Sequence, residues 1–189
     1  MKRLLVAVAL ALLGASAASA QTAQEKAASR EATRERLRQV LAASGPKRGI
    51  NVDFRQSEKN PFNFVGVKRD GLVNVDYFEV VIGVSDNETI GFRIYPHYKD
   101  SYINLGRARD SAGLMRALLR QSDTNFLYWG ADSGGDIFAG YTFTLESGFP
   151  DKAIEVVLYS IAPLDGFVGQ MRPFIDGTTA PTQPPPHSQ

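Results

Sequence analysis

The chain has 189 residues, 43% hydrophobic and 22% charged, a balance that suits one globular domain with appendages. It contains no cysteine, which excludes disulfides, thiolate metal sites and a thiol nucleophile. A formal charge of only +1 leaves no electrostatic footprint for nucleic acid.

Residues 1–20 read as a signal peptide: Lys2 and Arg3 form a basic start, residues 4–13 are apolar, and Ala18-Ser19-Ala20 is a small-residue cleavage site. The apolar run is too short for a membrane anchor, which needs about 20 residues. Cleavage after Ala20 removes both basic residues, taking the charge from +1 to −1, and directs the protein to the periplasm or the exterior. No stable membrane insertion is expected after cleavage.

Residues 21–45 predict a charged helix. Leu37, Val40 and Leu41 mark its apolar face, and Glu31 with Arg34 and Glu35 with Arg38 form i,i+3 pairs. Gly45-Pro46 stops it. Such a helix either docks on another chain or lies on its own sheet, and the second is the simpler expectation.

The domain proper spans residues 46–175. Ile50, Val52 and Phe54 alternate with polar residues as a strand does, and so do Phe62, Phe64 and, loosely, Val67. Asp70-Gly71 reads as a two-residue hairpin turn. Residues 72–84 predict a long strand whose parity slips near Tyr77, implying a bulge or bend there. After a turn at 85–88, Ile90, Phe92 and Ile94 begin a return strand. Pro96 should sit at an edge or a strand end, because it has no amide to donate. Residues 102–105 carry a weak strand signal.

Asp110 or Ser111 caps a helix with Leu114, Met115, Leu118 and Leu119 on one face, ending before Asp123. Residues 125–131 and 137–145 then predict two strands joined by Asp132-Ser133-Gly134-Gly135-Asp136. The first has apolar mass on both sides, which suits a central strand; in the second, Ala139, Tyr141, Phe143 and Leu145 should face the helices. Pro150 opens a last helix, and Pro163 inside it predicts a kink or two short helices. Residues 176–189 include Pro184-Pro185-Pro186 and lack apolar periodicity, so a disordered tail is expected.

The elements thus follow an α-β-β-β-α-β-β-α order, an α+β domain with an antiparallel sheet of about five strands and helices packed on one face.

Catalytic groupings are sparse. His97, the one histidine outside the tail, has Tyr95, Tyr98 and Asp100 close in sequence but neither a serine elbow nor a second ligand, so a surface or loop position is expected. No esterase, zincin or phosphate-loop motif is present. Asp132 and Asp136, with Asp123 nearby, provide too few oxygens for Ca²⁺ and read as turn-capping carboxylates. No metal or cofactor is therefore implied. The tyrosines stand out, since they suit interfaces by joining apolar area to a polar tip. Tyr77, Tyr95, Tyr98, Tyr128, Trp129 and Tyr141 form the candidate binding set.

From about Phe62 to Phe174 the chain resembles the YbjN family, which shares its fold with class I type III secretion chaperones. The resemblance is carried by residues 114–145 and 150–167: a Leu-rich helix, a short strand, an acidic Gly-containing turn, a second strand, then Pro150 and a closing helix. It implies a regulator of sensory transduction, or a homodimeric chaperone-like protein that binds extended segments of partners, with no catalytic residues. Together with the signal peptide, this leads to the expectation of a non-enzymatic periplasmic protein-binding adaptor that forms a homodimer. The alternative is a small-molecule or lipid sensor with a pocket between sheet and helices.

Overall fold

A computed structural model describes residues 24–177; the expected signal peptide and nearly all of the expected tail lie outside the described residues. Within them, an antiparallel sheet is backed by four helices. Helix α1 spans residues 24–44. The strands are β1 (Arg55–Gln56), β2 (Asn63–Lys68), β3 (Tyr77–Val84), β4 (Ile90–Tyr98), β5 (Ser101–Tyr102), β6 (Tyr128–Ala131) and β7 (Ile137–Phe143). Helices α2 (Ser111–Thr124), α3 (Asp151–Tyr159) and α4 (Leu164–Asp176) complete the fold. The main strand order is β1-β2-β3-β4-β7-β6, with β5 on β4, and every pairing is antiparallel. The sheet exceeds the five expected strands because β1 and β5 are two-residue additions with no period to read.

Strand parity divides the molecule into two sides. Phe78, Val80, Ile82 and Val84 of β3, with Ile90, Phe92 and Ile94 of β4, are at most 2% exposed. They share one core with Leu37 and Leu41 of α1, Leu114 and Leu118 of α2, Ile154 and Leu158 of α3, and Val168 and Met171 of α4. All four helices therefore cover the same face. No helix among the described residues is long and apolar enough to cross a membrane.

Helix α1 lies on its own sheet. Arg36 pairs with Asp151 at 2.5 Å and Lys47, just past the helix, with Glu155 at 2.8 Å, tying α1 and the turn after it to α3. Further back, the Arg30 guanidinium donates to the Val84 carbonyl at 2.8 and 3.2 Å, pairs with Asp86 and lies over the Phe62 ring. Its first half is thereby clamped to the β3–β4 turn.

The expected two-residue hairpin at Asp70-Gly71 does not form. β2 ends at Lys68 and β3 begins at Tyr77, and residues 69–76 form a longer connection. The reason is Asp165, in the first turn of α4 and 7% exposed. Its carboxylate accepts from the backbone amides of Val73 (3.0 Å), Asn74 (2.8 Å) and Val75 (3.1 Å), and from Asn74 Nδ2 at 3.0 Å. Amides gripped in this way cannot join a ladder, so the parity slip near Tyr77 marks the start of a strand rather than a bulge in one. The alternation at Ile50, Val52 and Phe54 likewise makes no strand: Ile50 and Val52 are buried, but pairing begins only at Arg55.

Other boundaries follow local chemistry. Asp110 caps α2 by accepting from the Gly113 amide. The helix runs past Asp123 to Thr124 because the Asn125 side chain donates to the Gln121 carbonyl at 2.8 Å and closes its last turn. Met115 and Leu119, expected on the buried face, are 51% and 65% exposed. Pro96 lies where β7 no longer pairs with β4, so its missing amide leaves no gap in that ladder. The closing helix is split, with α3 ending at Tyr159 and α4 starting after Pro163.

Asp165→Ala leaves three amides without their acceptor, the Val75 amide buried and those of Val73 and Asn74 partly so, and should destabilise the fold by about 3 kcal/mol. Urea denaturation checks this: the midpoint should fall with the slope unchanged, and an unaltered midpoint would mean that the connection is held otherwise.

Candidate functional site

The helix-free face is built from the second parity of the same strands. Registers place Val81 opposite Arg93, Glu79 opposite Tyr95, and Tyr77 opposite His97. Tyr102 lies opposite His97 on the other side, while Arg93 meets Gly140 and Gly130 meets Phe138. Side chains far apart in sequence thereby form one aromatic band across β3, β4, β5, β7 and β6.

The band is continuous. The Tyr77 and His97 rings stack with centroids 4.0 Å apart, and Tyr102 tilts against His97 at the same distance. Tyr95 meets Tyr102 edge-on at 5.6 Å and Phe138 at 5.5 Å, and Tyr128 meets Phe138 at 6.1 Å. Cations sit over two of the rings, Arg69 over Tyr77 at one end at 4.3 Å and Arg93 over Phe138 at 5.0 Å. Phe138 is 6% exposed yet stands apart from the core under the helices. Its cover comes from the band itself.

His97 occupies the middle of the band and is 5% exposed, neither a surface nor a loop residue. Among the described residues neither ring nitrogen has a hydrogen-bond partner; Nε2 lies 3.6 Å from Glu79 Oε2, beyond hydrogen-bonding range. The Glu79 carboxylate instead accepts from the Tyr102 hydroxyl at 2.8 Å. Burial holds His97 below the usual imidazole range, opposed by the Glu79 charge. Burial and the Glu79 contact raise Tyr102.

The sequence-derived candidates separate by side. Tyr77, Tyr95 and Tyr128 are members of the band. Tyr98 points to the helix side, donating to Asp176 at 2.7 Å and accepting from Arg172. Trp129 is 6% exposed within the core. Tyr141 packs between Phe126 and Phe143 on the helix side. Phe138 and Arg93 are the members that reading the sequence missed, and Tyr102, one of the conspicuous tyrosines, joins the band from outside the candidate binding set. The available signal was the odd-numbered parity of β4, where Gly91, Arg93, Tyr95 and His97 alternate with the apolar core series.

The sheet edges are less accessible than its open face. β6 is an edge strand, not a central one, and its Trp129 amide donates to Ser122 Oγ of α2 at 2.8 Å. The opposite edge, β1, has only Arg55 and Gln56. The β6–β7 loop is self-contained: Asp132 Oδ1 accepts from the Gly134 and Asp136 amides, and Asp136 Oδ1 accepts from Asn104 Nδ2 at 2.8 Å.

Comparison with protein-family models gives no match, and neither the curated proteins nor the solved structures give a significant one.

The buried neutral imidazole makes the band pH-sensitive. An unfolded His97 binds a proton more readily than the folded one, so its contribution is complete above about pH 6.5 and is lost as pH falls through the lower folded value. The melting temperature should drop between pH 7.5 and pH 5, and His97→Phe should reduce that drop. An identical drop in the variant would remove His97 from the cause.

Proposed function

We propose that this protein is a non-enzymatic, periplasmic polypeptide-binding adaptor of the chaperone-like or regulatory kind that its resemblance to the YbjN family implies. The observation that carries the reading is the aromatic band across a sheet face that no helix among the described residues covers. Aromatic side chains with polar tips give large contact area at little cost in conformational freedom, which is why binding surfaces are rich in them. The band also makes the face, rather than a free strand edge, the binding element: Ser122 covers the Trp129 amide on one edge, and the other edge is two residues long.

The same reading includes a homodimer. Its seam would be built on Met115, Leu119 and Phe126, which are 51%, 65% and 53% exposed.

A photo-reactive amino acid at Val67, on the open face and 37% exposed, should trap a polypeptide in cells. The same probe at Val156, 57% exposed on α3, should not. Equal labelling at both positions, or none at either, defeats the binding proposal. Light scattering over a concentration series should give twice the chain mass, and Leu119→Lys should return it to one; a wild-type monomer throughout rejects the dimer.

A further inference from the structure

Gly91 is a glycine that the fold itself does not require. It lies inside β4 with no positive φ, and a Cβ built on it meets nothing within 4 Å. Its neighbours on the same face are different. At Gly83 a Cβ would run into the Asn63 side chain, and at Gly140 into the Tyr128 ring. Those two are needed for internal packing, whereas Gly91 weakens a central strand with no return inside the molecule. A glycine in a strand otherwise marks a bulge, a tight bend or close approach by a ligand or another backbone, and the register runs unbroken through Gly91 on both sides, which removes the bulge.

The surroundings fit that explanation. Gly91 pairs with Gly83 on one side and Thr142 on the other, and Gly83 pairs with Asn63. This cross-strand row floors an open groove of about 470 Å³. Arg30 and Asp86 stand at its turn side, with Arg93, Tyr95 and Tyr128 along the opposite wall. A row across four strands is roughly 14 Å long, enough for about four extended residues. The charges differ in availability. Arg30 is already paired with Asp86, while Arg93 is exposed, lies over Phe138 and forms no ion pair among the described residues.

We infer that the Gly91 row is the seat for an extended, acidic polypeptide segment, whose main chain lies against the glycine floor while a carboxylate pairs with Arg93. This rests on the adaptor reading and adds to it the location and chemistry of the bound segment. A linear trough floored by bare backbone suits main chain better than a compact molecule. A guanidinium at its wall that forms no ion pair among the described residues favours a carboxylate, to which it can donate two parallel hydrogen bonds.

Fluorescence anisotropy with a fluorescein-labelled peptide of four Val-Glu repeats, and with its Val-Lys counterpart, tests the assignment on the purified protein. The acidic peptide should bind and the basic one should not, with affinity falling as salt rises. Gly91→Leu should weaken binding at least tenfold while leaving the melting temperature equal or higher, and Arg93→Gln should weaken it at least fivefold. Should Gly91→Leu misfold, Gly91→Ala and Arg93→Gln carry the same test. Unchanged affinity in these variants, equal binding of both peptides, or binding of neither overturns the inference. Competition of the acidic peptide by free glutamate at equal concentration would also overturn it, in favour of a small acidic ligand. Trapping at Val67 that survives Gly91→Leu would leave the adaptor reading standing with its contact elsewhere on the face.

Discussion

Antiparallel pairing of β4 with β3 on one side and β7 on the other is the constraint from which both faces follow. It sets Ile90, Phe92 and Ile94 against Val84, Ile82 and Val80 beneath the helices. In the same stroke it sets Gly91, Arg93, Tyr95 and His97 on the outer side. Because side chains alternate along a strand, a one-residue slip would exchange the two sets and place Arg93 in the core. The buried aliphatic series makes such a slip prohibitively costly. The composition of the open face is therefore as firmly specified as that of the core, although little packs on it.

Two polar anchors then join helices to sheet. Asp165 gathers three consecutive amides of the β2–β3 connection, replacing ladder hydrogen bonds with side-chain ones at a buried position. Arg30 reaches from α1 to the β3–β4 turn through the Val84 carbonyl and Asp86. Charged hydrogen bonds of this kind are directional, unlike the aliphatic contacts beside them. They fix where α1 and α4 lie along the sheet once burial has brought them there. Arg30 thereby also becomes a wall of the outer groove, so one side chain serves the packing of α1 and the shape of the open face.

The outer face is ordered by its own side chains. Phe138 is buried beneath Tyr95, Tyr128 and Arg93, and His97 between Tyr77 and Tyr102. A band packed this closely is preorganised, which lowers the ordering cost of anything that docks on it. The two imidazole nitrogens, like Trp129 Nε1, lack a partner among the described residues, an exception to the usual satisfaction of buried polar atoms, and the neutral ring tolerates this at lower cost than a charged one would.

Local chemistry written in the sequence was enough to place α2 through Asp110, to split the closing helix at Pro163, and to assign the apolar parities of β4 and β7. Those signals act over a few residues, through capping, proline geometry and alternation, and so survive without knowledge of the partners. The same local reading misplaced the turn at Asp70-Gly71, because the competing acceptor, Asp165, lies more than ninety residues away. It took β6 for a central strand because apolar mass on both sides does not reveal whether a helix or a strand covers it. The tyrosines were visible as a composition, but which of them meet was decided by register: Tyr77, Tyr95 and Tyr128 come together only once β3, β4, β7 and β6 are aligned, while Tyr98, Trp129 and Tyr141 fall on the opposite parity. Sequence determines what each residue can do with its neighbours along the chain; pairing across the sheet determines which distant residues become neighbours at all.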